Sequence, residues 1–374
     1  MKKIFAVFIA VVTIVSFATV NINSTNGGAL SLSAESAVLI DMESRNLLFS
    51  KNHECKMGMA STTKIMTALI AAENYDVKKT VTVSRDAVGI EGSSVYLYEG
   101  ENITMEELLY CLLLQSANDA AAAIAIAVAG SIEAFAEMMN KRAAEMGLEN
   151  THFENPHGLS HEDHYTTAYD LAVISAFALE NEMISKIAST YKQSIPIDSD
   201  CNPRVLVNHN KMLKLYDGAV GLKTGFTKKT GRCLVSAARR DGLTVIAVTL
   251  NAPDDWNDHT KMLDYGFENY ESLLIARPGE FVYPMPIVGG ADKHITLTNS
   301  DELRMTVPKV RRELTYRIET FHRFEFAPIL KGTHSGEIFY SYDEKFFCRS
   351  RLVCAQSVTS AQENNTSFWN KIFN

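Results

Sequence analysis

Met59-Ala-Ser-Thr-Thr-Lys-Ile-Met-Thr-Ala-Leu-Ile-Ala-Ala-Glu73 predicts a buried central helix, because its apolar residues occur almost all the way round a helical projection. Ser61 stands at the start of this helix, where its backbone N–H is free for an oxyanion, and Lys64 follows on the same face one turn later. A serine hydroxyl needs a base beside it to become a nucleophile, and Lys64 is placed to accept its proton. The S-x-x-K pattern alone is weak, since it also describes an N-capping serine beside a solvated lysine.

A second polar string, Ser116-Ala-Asn118, lies at a break between two predicted apolar helices. The first begins at the capping box Thr104-Met-Glu-Glu107 and ends at Leu114, and the second runs from Asp119 to Ala129. Polar side chains at such a break point into a cleft, where Ser116 would relay a proton and Asn118 would hold a substrate amide and the lysine. A polar corner between two helices would equally satisfy either residue alone.

The third string, Lys223-Thr-Gly225, lies on a predicted edge strand that is followed by two β-like runs and a hairpin turn at Arg240-Asp-Gly242. Lys223 and Thr224 can bind an anionic carboxylate, and Gly225 would let a ligand backbone approach the strand closely. An edge strand can also accept an extended peptide. Lys223 is in addition the candidate for a second cation that would lower the pKa of the first lysine.

The three strings together, in this order and spacing, resemble the active-site signature of serine penicillin-recognising enzymes. Two further segments, Glu154-Asn-Pro-His-Gly-Leu159 and His164-Tyr-Thr-Thr-Ala168, are similar to those of D-alanyl-D-alanine carboxypeptidases of the low-molecular-mass penicillin-binding protein family, peptidase family S11. The resemblance implies an enzyme without cofactor or metal. Its implied catalytic residues are Ser61, Lys64, Ser116 and Asn118, and its implied substrate-binding residues are Lys223, Thr224, Gly225 and Phe226, with the N–H groups of Ser61 and Phe226 as oxyanion hole.

Three functions are weighed on this fold. The resemblance implies a carboxypeptidase that removes the terminal D-alanine of peptidoglycan stem pentapeptides through a Ser61 acyl-enzyme and that β-lactams acylate. A β-lactamase usually needs a glutamate in an E-x-x-x-N loop, and no glutamate between Asp119 and Leu222 has asparagine four residues on. A non-catalytic wall-binding protein would usually have lost the serine or a lysine, which this chain keeps.

The sequence departs from the family pattern in two places. Some Gram-negative members place an arginine after the strands to bind the terminal carboxylate, whereas Ala252-Pro-Asp-Asp-Trp-Asn-Asp-His259 supplies acids. Carboxylate recognition therefore falls more heavily on Thr224 and Lys223. The tail is also shorter than the usual amphipathic anchor, although Phe368, Trp369, Ile372 and Phe373 would share one helical face. This tail, residues 357–374, is a candidate membrane contact or a disordered end.

Composition agrees with an exported enzyme. The chain has 374 residues, 46% of them hydrophobic, and a formal net charge of −8, which argues against a nucleic-acid partner. Met1-Lys-Lys3 and an apolar stretch to Val20 predict a signal peptide over residues 1–18, with a retained membrane anchor as the alternative. We therefore expect an extracytoplasmic protein, peripheral on the outer face of the cell membrane.

The predicted fold class is α/β (α+β), a β-lactamase/transpeptidase-like antiparallel sheet sandwiched by helices, with a helical lobe. An N-terminal hairpin, Ser36 to Met42 and Asn46 to Lys51, pairs with the strands between Ala219 and Asn251, and Asp258 to Asn269 forms a covering helix. This catalytic domain is expected over residues 30–275. A small β-rich domain is expected over residues 277–356, with runs at 294–297, 303–307, 314–320 and 337–342.

Cysteine and histidine placement points to structural roles. Cys55, Cys111 and Cys233 are predicted to be small core residues. Cys348 and Cys354 would share one face of a strand but lie roughly 20 Å apart, too far for a disulfide unless the chain turns between them. Four histidines could resemble a metal site, but they fall in a predicted loop and lack the helical or hairpin spacing of metal ligands. We therefore expect them to be structural; they are His152, His157, His161 and His164.

Overall fold

The computed structural model describes residues 30–197, 203–310, 314–343 and 346–361, and the fold described is that of the unit from Leu32 onward. The predicted signal peptide, Cys201 and the aromatic part of the tail lie outside the described residues.

The regular elements follow in chain order. The strands are β1 (Ser36–Asp41), β2 (Leu47–Lys51), β3 (Thr80–Thr82), β4 (Asn102–Thr104), β5 (Lys192–Ile195), β6 (Arg204–Val207), β7 (Ala219–Thr227), β8 (Gly231–Arg240), β9 (Leu243–Leu250), β10 (Tyr270–Ala276), β11 (Val282–Val288), β12 (His294–Asn299), β13 (Leu303–Pro308), β14 (Leu314–Thr320), β15 (Glu325–Phe326), β16 (His334–Tyr342) and β17 (Phe346–Cys354). The helices are α1 (Lys64–Asn74), α2 (Met105–Leu114), α3 (Asn118–Ala129), α4 (Ile132–Glu145), α5 (Ala168–Glu180), α6 (Glu182–Ser189), α7 (Met212–Leu215) and α8 (Asp255–Asn269).

The central sheet joins the two ends of the predicted catalytic domain. Its strand order is β2-β1-β9-β8-β7, all antiparallel, and β1 pairs with β9 from Ser36 opposite Leu250 to Asp41 opposite Val245. The β8–β9 hairpin turns through Asp241 and Gly242, whose φ angles of 49° and 81° suit a tight two-residue turn. The predicted hairpins and the edge position of β7 are thus confirmed.

Helices cover both faces of this sheet. β9 is buried along almost its whole length, and α5 and α8 both pack against it. A strand buried on both faces is typical of a sheet enclosed by helices. A helical lobe surrounds α1, which packs against α2 to α6 and whose residues from Lys64 to Ala71 are all buried. The predicted helix–sheet–helix sandwich with a helical lobe is therefore confirmed.

Local sequence signals explain where these helices begin and end. Thr104 and Glu107 form the predicted capping box of α2, and Gly130, with φ 86°, closes α3. The start of α8 was predicted wrongly, because this helix begins at Asp255 and not at Asp258. Asp258 lies inside the helix, where its carboxylate accepts hydrogen bonds from the N–H and hydroxyl of Ser33 and from the N–H of Ala34. It holds the N-terminal segment and does not cap the helix.

The C-terminal part is β-rich, as predicted. Six strands form a sheet in the order β14-β16-β17-β12-β11-β15, and all four predicted strand runs lie within β12, β13, β14 and β16. β10 pairs with β13, and this pairing crosses the boundary expected near residue 277. The division into two domains stays a proposal.

The described cysteines are free, and two of three core expectations hold. Cys111 and Cys233 are buried. Cys55 is exposed, because it lies in a surface turn that comes before the buried residues Met59 and Ala60. Cys348 and Cys354 both lie on β17. Within the described ranges, no one helix combines the length and apolar character needed to cross a bilayer, and only α3 and α4 taken together, bent by 81°, meet that criterion.

Candidate active site

Ser61 lies in a tight bend, residues Met59–Thr63, that leads into α1; we call it the nucleophile bend. Residues 60–63 form a 3-10 turn, and Ala60 has a φ of 47°, a left-handed conformation that is uncommon for a side-chain-bearing residue. Two threonine hydroxyls stabilise the turn, since Thr62 donates to the Met59 carbonyl over 2.5 Å and Thr63 to the Ala60 carbonyl over 2.8 Å. Ser61 itself is half-buried in this bend.

Lys64 is fully buried beside Ser61. Its Nζ lies 3.1 Å from Ser61 Oγ, 2.6 Å from Asn118 Oδ1 and 2.5 Å from the carbonyl oxygen of His157. Burial, and next the positive charge of Lys223, hold the pKa of Lys64 well below its usual range. The uncharged amine is therefore more accessible than that of an ordinary exposed lysine.

This arrangement gives a neutral Lys64 one open lone pair. A neutral amine has two N–H donors. The Asn118 and His157 oxygens can only accept hydrogen bonds, not donate them. If those two oxygens take the two N–H groups, the lone pair faces Ser61 Oγ. The site can thus draw the proton from the serine hydroxyl.

Asn118 is held in one orientation by the loop before β4. Its Nδ2 donates to the Glu91 carbonyl and its backbone N–H donates to the Ser93 carbonyl over 2.7 Å, so its Oδ1 is left for Lys64. Ser116, which has a φ of 60° and is 5% exposed, lies two residues earlier, between α2 and α3. Through Asn118, the predicted polar break between two helices therefore does meet Lys64 at the start of α1.

Lys223 lies on the edge strand β7 and is 1% exposed. Its Nζ donates to the Thr224 carbonyl over 2.8 Å, and burial lowers its pKa to about 7. Phe226, further along the strand, is 64% exposed. Thr227 N–H donates to Thr230 Oγ1 within the hairpin, and successive N–H groups of a strand point to opposite sides, so the Phe226 N–H points to the open edge.

Gly225 gives the nucleophile bend room against β7. A Cβ at this position would lie 3.0 Å from the Met59 carbonyl oxygen and 3.1 Å from the Ser61 nitrogen. The sequence predicted that this glycine admits a ligand backbone. The structure adds a second reason for it, the close approach of the bend that carries Ser61.

The acidic segment after β9 is occupied with structural contacts. Asp255 pairs with Arg232 at 3.0 Å, and Arg232 lies opposite Phe226 in the β7–β8 ladder. Arg232 was not predicted from the sequence, because an arginine was expected only in the segment that follows the strands. Arg232 follows the hairpin turn directly, and its position in the ladder became visible only with the register.

The loop of residues 152–164, which we call the histidine loop, contributes to the site, although no histidine was predicted to do so. Burial lowers the pKa of His157 to about 3 and that of His164 to about 4, so both are neutral. His157 supplies a backbone carbonyl to Lys64, which no sequence pattern announces. Glu154, His161 and Asp163 each bring one donor atom within 4.8 Å of the others at the surface, a grouping that the sequence did not predict.

Comparison with known proteins agrees with the fold and the motifs. Residues 22–254 match the D-alanyl-D-alanine carboxypeptidase family. The chain is 32% identical over 378 residues to D-alanyl-D-alanine carboxypeptidase DacF of Bacillus subtilis, covering 96% of each chain. It is also similar to the crystal structure of penicillin-binding protein 5 from Haemophilus influenzae, with a TM-score of 0.73 and 26% identity over 88% of this chain and 98% of that one.

A more distant structure shares the fold. Penicillin-binding protein 3 from Streptococcus pneumoniae, described as a peptidoglycan synthesis regulatory factor, has a TM-score of 0.77 at 21% identity, covering 88% of this chain and all of that one. The fold and the three motifs place the protein among the penicillin-recognising serine enzymes. Within that class, the chain belongs to the D-alanyl-D-alanine carboxypeptidase family, peptidase family S11, as the sequence predicted.

Proposed function

We propose that the protein is a serine-type D-Ala-D-Ala carboxypeptidase in which Ser61 is the acylated nucleophile. The observation that carries this proposal is the contact of 3.1 Å between Lys64 Nζ and Ser61 Oγ, made by a fully buried lysine. A buried lysine whose pKa is lowered can act as a base at neutral pH, and the serine beside it is the nucleophile that such a base would activate.

The reaction follows from the same residues. Neutral Lys64 takes the Ser61 proton while Oγ attacks the penultimate D-alanine carbonyl carbon, and the N–H groups of Ser61 and Phe226 bind the developing oxyanion. The lysine proton then passes, through Ser116, to the amine of the terminal D-alanine, which leaves as the peptide bond breaks. Water attacks the ester, Lys64 again accepts a proton, and the shortened peptide is released with the Ser61 hydroxyl restored.

Lys223 and Thr224 are the proposed binding site for the terminal carboxylate. The Lys223 ammonium is buried, so a carboxylate in the cleft would compensate the burial that lowers its pKa to about 7. Gly225 and Phe226 extend this binding edge, along which a stem peptide would add to β7 as an extended strand.

The proposed substrates are peptidoglycan stem peptides that end in D-Ala-D-Ala, and β-lactams are the proposed covalent inhibitors. Such substrates lie outside the cytoplasmic membrane, in keeping with the predicted signal peptide. We also propose that the apolar face of the tail rests on the membrane surface. Deleting residues from Ser367 onward should then release the mature protein from membranes; continued pelleting of the deleted form would contradict the contact.

The direct test of the function is release of D-alanine from a D-Ala-D-Ala peptide by the purified protein. We expect release by the wild-type protein and none by Ser61→Ala with an unchanged melting temperature. Release by a folded Ser61→Ala variant, or none by the wild type, would contradict the proposed function.

A further inference from the structure

A chain of buried hydrogen bonds joins the histidine loop to the nucleophile bend. His164 is 4% exposed, and its Nε2 lies 2.7 Å from the hydroxyl oxygen of Thr63. Thr63 follows Ser61 by two positions. The Nδ1 of the same ring lies 3.0 Å from the backbone nitrogen of Glu154. Both ring nitrogens are therefore used inside the protein, and neither is left for substrate.

The partners fix the tautomer of His164. A backbone N–H can only donate, so Glu154 donates to Nδ1, and this nitrogen carries no proton. The proton of the neutral ring therefore resides on Nε2, which donates to Thr63 Oγ1. Thr63 in turn donates its own hydroxyl proton to the Ala60 carbonyl over 2.8 Å. Each donor in the chain has one acceptor, and the direction of all three bonds is determined.

This series of hydrogen bonds ends on the peptide group that precedes Ser61. The Ala60 carbonyl and the Ser61 N–H belong to one planar trans peptide, so they point in opposite directions and turn together. Ala60 holds a φ of 47°, which needs support from its surroundings. Gly158 packs against the same carbonyl, because a Cβ there would lie 2.0 Å from the Ala60 oxygen.

We propose that His164 is a positioning residue for the nucleophile. By donating to Thr63, it fixes the Ala60 carbonyl and, across that rigid peptide, the direction of the Ser61 N–H that binds the oxyanion. His164 touches neither Ser61 nor substrate; it acts through Thr63. This inference rests on the proposed acyl-transfer function and assigns a role to a side chain that lies 101 residues away from Thr63 in the sequence.

Paired substitutions separate this role from general packing. Glutamine resembles the Nε2 side of histidine and can still donate to Thr63, whereas asparagine is too short to do so. Thr63→Ser keeps the hydroxyl and Thr63→Val removes it with little change in shape. The matched control is His161→Asn, an exposed histidine of the same loop. For each variant, the acylation rate constant k2 and the dissociation constant K of the preceding complex are measured with a fluorescent penicillin, together with the melting temperature.

We expect His164→Asn and Thr63→Val each to lower k2 about tenfold with K unchanged, because a misdirected N–H weakens only transition-state binding. His164→Gln, Thr63→Ser and His161→Asn should retain most of the wild-type k2. The double variant should lose no more than either single variant, since both break one chain. Equal losses in Thr63→Ser and Thr63→Val, or losses in K or melting temperature alone, would overturn the proposal.

An NMR measurement keeps this test independent of the enzyme's activity. Ring nitrogen shifts of labelled His164 should show the Nε2–H tautomer in the wild-type protein. The Nδ1–H tautomer would overturn the proposed chain even in an active enzyme. Conversely, an Nε2–H tautomer in a wild-type protein that no penicillin acylates would contradict the proposed function and leave the hydrogen-bond chain standing.

Discussion

Lys64 Nζ donates to the backbone carbonyl of His157, a residue 93 positions further along the chain, over 2.5 Å. This contact, with that to Asn118, fixes the amine beside Ser61 in a pocket without solvent. The lysine therefore keeps its position in either protonation state, while burial favours the neutral form. A positioned base with a lowered pKa is what acyl transfer by a serine requires.

Replacing Lys64 should abolish acylation much more than it disturbs the fold. Lys64→Met fills the same space but has no basic nitrogen, so we expect acylation by penicillin to slow by about 10²–10⁴ or more. The unpaired Asn118 and His157 oxygens should cost about 1–3 kcal/mol of unfolding free energy. Lys186→Met, at an exposed lysine, is the control and should leave the acylation rate unchanged. Near wild-type acylation by Lys64→Met would reassign the base.

Acylation by a carboxylate-bearing ligand should follow a bell-shaped pH profile. Lys64 must be neutral, and because its pKa is lowered, the rate rises with pH as this lysine loses its proton. Lys223 must be charged, and its pKa of about 7 in the free protein means that carboxylate binding weakens as pH rises through that value. The two apparent values belong to the coupled pair of lysines.

The pH dependence of k2/K checks this assignment. Lys223→Gln should remove the alkaline limb and move the acid limb to higher pH, because the positive charge of Lys223 helps to lower the pKa of Lys64. If the variant kept the alkaline limb, another group would have to be responsible for it.

Lys223 should contact the ligand carboxylate directly. Lys223→Gln should slow acylation severely for a penicillin with its carboxylate, and Lys223→Arg should be only partly tolerated, because a planar fork replaces a compact ammonium in a buried site. A penicillin amide should react poorly with wild type and lose little more with the variant. The check is to measure the acylation rates of the wild type and Lys223→Gln, each with the penicillin and with its amide. If the two losses simply add, Lys223 acts through the general field of the cleft and not by direct contact.

Gly225→Ala should disturb the nucleophile without unfolding the protein. The new Cβ would push on the Met59 carbonyl and the Ser61 nitrogen at 3.0 and 3.1 Å, so we expect k2 to fall about tenfold or more. Gly266→Ala, at a glycine inside α8 where a Cβ would lie 3.1 Å from a methyl group of Leu39, is the control and should leave k2 unchanged. A Gly225→Ala enzyme with normal k2 would show that the bend tolerates displacement.

Much of the catalytic fold could be predicted, because its signals are local. The capping box of α2 involves Thr104 and Glu107, three residues apart, and the β8–β9 turn needs only Asp241 and Gly242. The sandwich was predicted from such patterns and the family from its resemblance, and both are confirmed. The roles of the site residues are still predictions that the experiments above address.

Other features have no local signal. β11 was not among the predicted strand runs, because Pro284 and Pro286 lack an N–H group and argue against a strand. Both prolines are exposed and lie opposite residues of β12. On the other side of β11, β15 pairs only with Ile287 and Val288, so among the described strands the prolines have no partner there. The backbone carbonyl of His157 is equally silent in sequence, since every residue has one. The hydrogen bond of His164 to Thr63 depends on a loop path that no periodicity encodes.

Acylation of Ser61 is the step on which every other proposed role in this site depends. The most direct measurement is mass spectrometry of the peptides released from the purified protein after reaction with penicillin. We predict one penicilloyl adduct, on the peptide that contains Ser61, and no adduct in a folded Ser61→Ala variant. An adduct on another residue, or labelling that persists in Ser61→Ala, would contradict the assignment of Ser61 as the nucleophile.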